Sequence, residues 1–97
     1  MANNGFTAAK NVAIARLATG AFLHEARASV EVKNHLKTGQ ISAQDVINLL
    51  KKSNGNQHSS SPHHRDASLT VHVIVTGGYY IKFYFIDPNV MFISVHP

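Results

Sequence analysis

The sequence predicts an α+β domain, with N-terminal helices packed on one face of a mainly antiparallel sheet of at least three strands. Three observations carry this expectation. Ala, Lys, Arg and Leu dominate Thr7 to Lys37, where proline is absent. Residues 67–96 are rich in β-branched and aromatic side chains, interrupted only at Gly77-Gly78 and Asp87-Pro88-Asn89. Between the two halves the composition changes abruptly to the polar run 53–66. A chain of 97 residues suits a single domain over 1–97, divided into a helical half (1–52), a polar loop (53–66) and a sheet half (67–97).

The helical half starts with Thr7 as N-cap. Val12, Leu17, Leu23, Ala26 and Val30 roughly follow a helical stripe, with Gly20 as a possible break. Thr38-Gly39-Gln40 reads as a stop. The next helix is the clearest local signal. Ser42 caps it, Asp45 stands at its third position, and Ile41 can staple onto Val46. Val46, Leu49 and Leu50 form its buried face, and Lys51-Lys52 suit its C-terminus. A polar loop as long as 53–66 is uncommon inside a small domain and is often functional or mobile.

The expected strands are Ser68–Thr76, Tyr79–Ile86 and Val90–His96. Grouping the apolar residues on one face puts Leu69, Val71, Val73 and Val75 with Tyr79, Ile81, Phe83 and Phe85, and with Met91, Ile93 and Val95. That grouping requires a three-residue turn at Thr76-Gly77-Gly78 and another at Asp87-Pro88-Asn89. His72 then lies opposite Lys82, Lys82 opposite Ser94, Tyr80 opposite His96, and Tyr84 opposite Phe92. One face is aliphatic. The other carries His72, Lys82, Ser94, Tyr80, His96 and Tyr84.

Hydrophobic residues make up 44% and charged residues 14%, which excludes a disordered tail. No apolar run is long enough for a membrane span, so no membrane anchor is expected. Lys10 and Arg16 interrupt the Ala-rich N-terminal stretch, so no signal peptide is expected. Cysteine is absent, which excludes disulfides and thiolate metal sites. The net charge of +4 favours anionic partners, nucleic acid first. Seven histidines supply groups able to exchange protons near neutral pH.

Several short motifs resemble the RelE-type ribonuclease toxins, and more specifically the MqsR family within the barnase–EndoU–colicin–RelE superfold. The resemblance covers roughly Ile41 to Pro97. Tyr80-Ile81-Lys82-Phe83 is similar to the family's Tyr-Leu-Lys segment on a central strand. Phe92-Ile93-Ser94-Val95-His96 is similar to its closing Ile-Ser-Phe-Lys strand, with His96 where the family has Lys. His58-Ser59-Ser60-Ser61-Pro62 is similar to its Tyr-Lys-Ser-Met-Pro loop, with Ser59 replacing a catalytic Lys. Leu69-Thr70-Val71-His72-Val73 falls where the family has Leu-Trp-Gln-Asp-Val, so Val71 replaces a functional Gln. The resemblance implies a RelE/barnase-like fold and a toxin whose active site has been rebuilt with histidines. Toxin domains of contact-dependent growth-inhibition proteins belong to the same superfold.

The expected function is therefore a metal-independent endoribonuclease toxin acting in the cytoplasm on tRNA or mRNA, with no cofactor. Such a domain can be delivered into target cells as part of a larger secreted protein. A base deprotonates the 2′-hydroxyl, the alkoxide attacks the phosphate, and an acid protonates the leaving oxygen. His72 and His96 are the acid–base candidates, with His58 as the loop alternative and Lys82 stabilising phosphate charge. His72 is favoured as base because a rigid strand sets it across from Lys82. Tyr80, Ser94, Tyr84, His63, His64 and Arg65 are the RNA-binding candidates. The expected partners are the RNA and an acidic immunity or antitoxin protein covering the basic face. The alternatives are a non-catalytic nucleic-acid or protein-binding module on the same face, and, less well supported by spacing, zinc held by His58, His63 and His64.

Overall fold

The computed structural model describes residues 5–25 and 34–97. Its elements are α1 (Phe6–Thr19), β1 (Phe22–His24), α2 (His35–Thr38), α3 (Ala43–Lys52), a single 3₁₀ turn (Gly55–Gln57), β2 (His58–Pro62), β3 (Thr70–Thr76), β4 (Tyr79–Ile86) and β5 (Asn89–His96). The five strands form one sheet in the order β1-β5-β4-β3-β2. Among the described residues β1 pairs with β5 in parallel, Asn34 adds an isolated parallel bridge to Val95, and the other strand pairings are antiparallel. The helices cover one side, so the architecture is the expected α+β arrangement with a mostly antiparallel sheet.

The helices follow local chemistry. In α1, Ala9, Ala13 and Leu17 recur at intervals of four and are buried, while Val12 is only half-buried. The N-cap is Gly5 rather than Thr7, and no side chain caps it. Gly20, at φ 81°, ends α1 by donating its N–H to the carbonyls of Arg16 and Leu17. At α3, Ser42 accepts from the Asp45 N–H and the Asp45 carboxylate accepts from the Ser42 N–H, the expected capping box. Its buried residues are Val46, Ile47 and Leu50, with Leu49 half-buried.

Two parts of the chain depart from expectation. Leu23 is not helical. Phe22–His24 pairs with Val90–Phe92 and adds an edge strand. Of the other stripe residues, Ala26 and Val30 lie outside the described residues. The polar run 53–66 is not a loop throughout, because His58–Pro62 pairs with β3 as the opposite edge strand. Serine-rich sequence has little strand propensity, so tertiary pairing decides here.

The register is the larger correction. Thr76 pairs with Tyr79, so Gly77-Gly78 is a two-residue turn, with φ of 57° and 80°. Val73 therefore faces Lys82, and His72 faces Phe83. The β4–β5 pairing begins as expected, with Tyr80 opposite His96 and Lys82 opposite Ser94. It then shifts at a bulge, so Phe83 faces Phe92 and Tyr84 faces Met91. The turn before β5 has two residues, Asp87 and Pro88, joined by a cis peptide bond.

The faces reorganise accordingly. The helix-facing core contains Ile74, Ile81, Phe83, Val90, Phe92 and Val95, together with Ala9, Leu17, Val46 and Leu50. Val71 and Ile93, expected on that side, instead join Tyr84 in a small second cluster with Leu69 and Met91 on the outer face. Strand β3 turns its valines outward and sets Ile74 with His72, Thr70 and Thr76 on the helix side, so the more apolar face is not the one that meets the helices.

The Gly-Gly turn also packs on α3. A methyl group at Gly77 would come within 2.5 Å of Leu49 Cδ2, whereas one at Gly78 meets nothing within 4 Å. Both residues sit at positive φ, so either alanine is strained. Gly77→Ala should destabilise by about 1–3 kcal/mol and by more than Gly78→Ala. Urea unfolding of the two variants checks the order, and equal losses would remove the Leu49 contact from the explanation.

Candidate functional site

The corrected register separates the predicted site residues into two groups on opposite sides of the sheet. Lys82, Tyr80, Tyr84, Ser94 and His96 stay together on the outer face. His72 and His58 lie on the helix-facing side. Because His58 is on that side and His63 packs on Tyr84 across the sheet, the three zinc candidates do not converge on one ion.

On the outer face Lys82 sits in a row between Val73 and Ser94. The neighbouring row places Tyr80 beside His96, with their rings stacked at 5.2 Å and 26°. The His96 Nδ1 lies 2.9 Å from the Pro97 oxygen. That oxygen can only accept, so Nδ1 carries the hydrogen, and in the neutral ring the lone pair is on Nε2. On the other side of Lys82 is a cleft of about 200 Å³, lined by Ser61, Pro62, His64, Val71, Lys82 and Ile93. Lys82 makes no ion pair among the described residues.

His64 is held near this cleft by a buried polar cluster. Glu25, in the segment after β1, accepts from the Tyr84 hydroxyl at 2.7 Å and from His63 Nε2 at 3.3 Å. The Arg65 N–H donates to His63 Nδ1 at 3.1 Å, which fixes the tautomer with hydrogen on Nε2. His63 and Tyr84 are each 6% exposed, and His63 stacks on His64 at 4.8 Å. Both His63 nitrogens are thus occupied, which makes His63 a support for its exposed neighbours His64 and Arg65. Glu25 escaped the sequence reading. It lies 38 residues from His63 inside a stretch read as helix, and no local motif marks it.

The second group surrounds His72, which is 1% exposed. His58 Nε2 and His72 Nδ1 share a hydrogen bond at 3.0 Å. Phe83 and Phe85 pack against the His72 ring at 5.5 and 5.7 Å, and Phe6 lies against His58 at 5.7 Å. Burial, reinforced by the neighbouring His58, pushes the His72 pKa down to about 4. Burial also lowers that of His58. His72 is far from Lys82's face and too weakly basic for the role expected of it.

This pair gives a pH dependence of definite sign. The fold favours neutral imidazole, so the unfolded chain binds more protons below its ordinary value of 6.5. The stabilisation is complete above that pH and is lost as pH falls through 6.5 toward 4. The loss attributable to His72 should be about 2–3 kcal/mol by pH 4.5. Urea unfolding at several pH values checks this, with His72→Phe expected to flatten the profile. An unchanged profile in that variant would contradict it.

Comparison with protein-family models, curated proteins and solved structures gave no match. Among the described residues no helix is long and apolar enough to cross a membrane.

Proposed function

We propose that this chain is an endoribonuclease toxin whose RNA lies on the outer face of the sheet. The observation that supports the reading is the setting of Lys82, an ammonium with an imidazole on either side along its strand. His64 lines the cleft on one side, and His96 stands in the next row on the other. RNA supplies its own nucleophile, so this set is sufficient. His96 Nε2, the nitrogen with a free lone pair, takes the 2′-hydroxyl proton. The alkoxide attacks the adjacent phosphate, leaving a 2′,3′-cyclic phosphate. His64 gives a proton to the departing 5′-oxygen, and Lys82 offsets the charge on the phosphate oxygens. Tyr80 offers a stacking surface for a base, Ser94 a hydroxyl beside Lys82, and Arg65 a further cation.

The net charge of +4 also fits capture by an acidic immunity or antitoxin protein over this face. The site of action in this reading is the cytoplasm of the cell whose RNA is cut. Incubation with total RNA, with and without EDTA, tests it. Cleavage insensitive to EDTA, with cyclic phosphate ends, is expected. The Tyr80–His96 stack equally suits a module that binds without cutting. A gel shift with intact RNA would establish that alternative, and intact RNA without a shift would remove both.

A further inference from the structure

On the helix-facing side, where α1 crosses the ends of β3 and β4, a second cleft of about 200 Å³ is lined by Val12, Arg16, Ser68, Leu69, Thr70, His72, Phe85 and Asp87. We propose that this cleft is a binding site for a neutral, planar nitrogen heterocycle the size of a single nucleobase. The proposal is independent of the ribonuclease reading, since this cleft and Lys82 lie on opposite sides of the sheet.

The volume of the cleft suits a small ligand. Sites for drug-sized molecules start near 300 Å³, so this one holds about one ring system. Charge excludes ions. The Arg16 guanidinium is already committed, donating to Asp87 Oδ1 at 2.6 Å and to the Asn89 carbonyl at 2.9 Å. A phosphate or carboxylate would have to displace Asp87, whose own carboxylate stands at the rim. A cation would meet the guanidinium. The pair cancels to no net charge, and the buried His72 is neutral near pH 7.

The remaining chemistry fits a flat heterocycle. The Arg16 guanidinium lies over the Phe85 ring at 5.3 Å, forming a flat, polarisable wall with Val12 as an apolar neighbour. His72 Nδ1 is used by His58, while Nε2 has no partner among the described residues. No buried side-chain nitrogen or oxygen there lacks a partner. The slight exposure of His72 therefore falls at Nε2, and His72 lines this cleft. The accessible ring nitrogen on the floor, the Thr70 hydroxyl and the accepting side of the Ser68 hydroxyl, which itself donates to Asp66 Oδ1 at 2.6 Å, and the Arg16–Phe85 wall can pair with the edge and face of one base. The fixed partners are rigid, with His72 held between Phe83, Phe85 and His58.

The test is an NMR titration of the full chain with adenine, cytosine and uracil, with ribose 5-phosphate as the anionic control. At least one base should shift the amides of Val12, Thr70, His72 and Phe85 with a Kd near or below about 1 mM, and ribose 5-phosphate should not. Val12→Trp, which fills the cleft from the helix surface without touching the histidine pair, should raise that Kd at least about tenfold, a loss of 1.4 kcal/mol or more. His72→Phe should do the same through loss of the ring nitrogen. The proposal is overturned if no base shifts these amides, if the shifts lie only on the outer face around Tyr80 and His96, or if Val12→Trp binds as well as the parent.

Discussion

Lys82→Ala is expected to lower RNA cleavage by about 10²-fold or more while leaving the unfolding midpoint nearly unchanged. The rate loss follows from removing the cation nearest the phosphate in the proposed complex. The small stability effect follows from the position of Lys82, which is half-buried at the surface of a central strand with Val73 and Ser94 as its cross-strand neighbours. Neither neighbour is charged, so no partner is left stranded by the substitution. Lys82→Arg should keep part of the activity, because the charge remains while the geometry of the ammonium is lost. Single-turnover cleavage rates on a short RNA, with thermal unfolding of each variant, measure both quantities. An alanine variant as active as the parent would remove Lys82 from the site.

The largest stability effect is expected from Phe83→Ala. Phe83 is fully buried on the central strand β4, and its ring touches those of His72, Phe85 and Phe92 at 5.5, 5.7 and 5.9 Å. Truncation removes the contacts that hold three other rings and leaves a cavity that a five-stranded sheet cannot easily close. The expected loss is about 3–5 kcal/mol. For a domain of this length that corresponds to a fall in Tm of roughly 12 °C or more. It also loosens His72, so the pH dependence of stability should weaken in the same variant. A loss below about 1 kcal/mol would mean that Phe83 is not the centre of the core.

The elements that local chemistry decides were legible in the sequence. The Ser42–Asp45 capping box, the glycine stops at Gly20 and Gly39 and the three strands of the meander all depend on residues close in the chain. The pairing of Lys82 with Ser94 and of Tyr80 with His96 was legible too, because it lies before the bulge. The faces of β3 were not. Gly77-Gly78 carries the signature of a two-residue turn, but gathering Val71, Val73 and Val75 on one face with Phe83 requires a longer one. The fold instead buries apolar residues on both sides of β3, and places His72 in the core with a second imidazole as its partner. The short strand Phe22–His24 and the serine-rich strand His58–Pro62 form by pairing with distant strands, which no local propensity reports. Glu25 likewise acquires its role only when the sheet brings Tyr84 and His63 to it.

The central claim is that the outer face cuts RNA through the substrate's own 2′-hydroxyl, and one paired measurement tests it most directly. A short oligoribonucleotide is first mapped for its cut position, and the same oligomer is then made with a single 2′-deoxynucleotide 5′ to that bond. The mapped bond should be cut in the all-ribose oligomer and should resist in the substituted one, in EDTA as in buffer. Equal cleavage of the two oligomers, or cleavage of neither, would contradict the account.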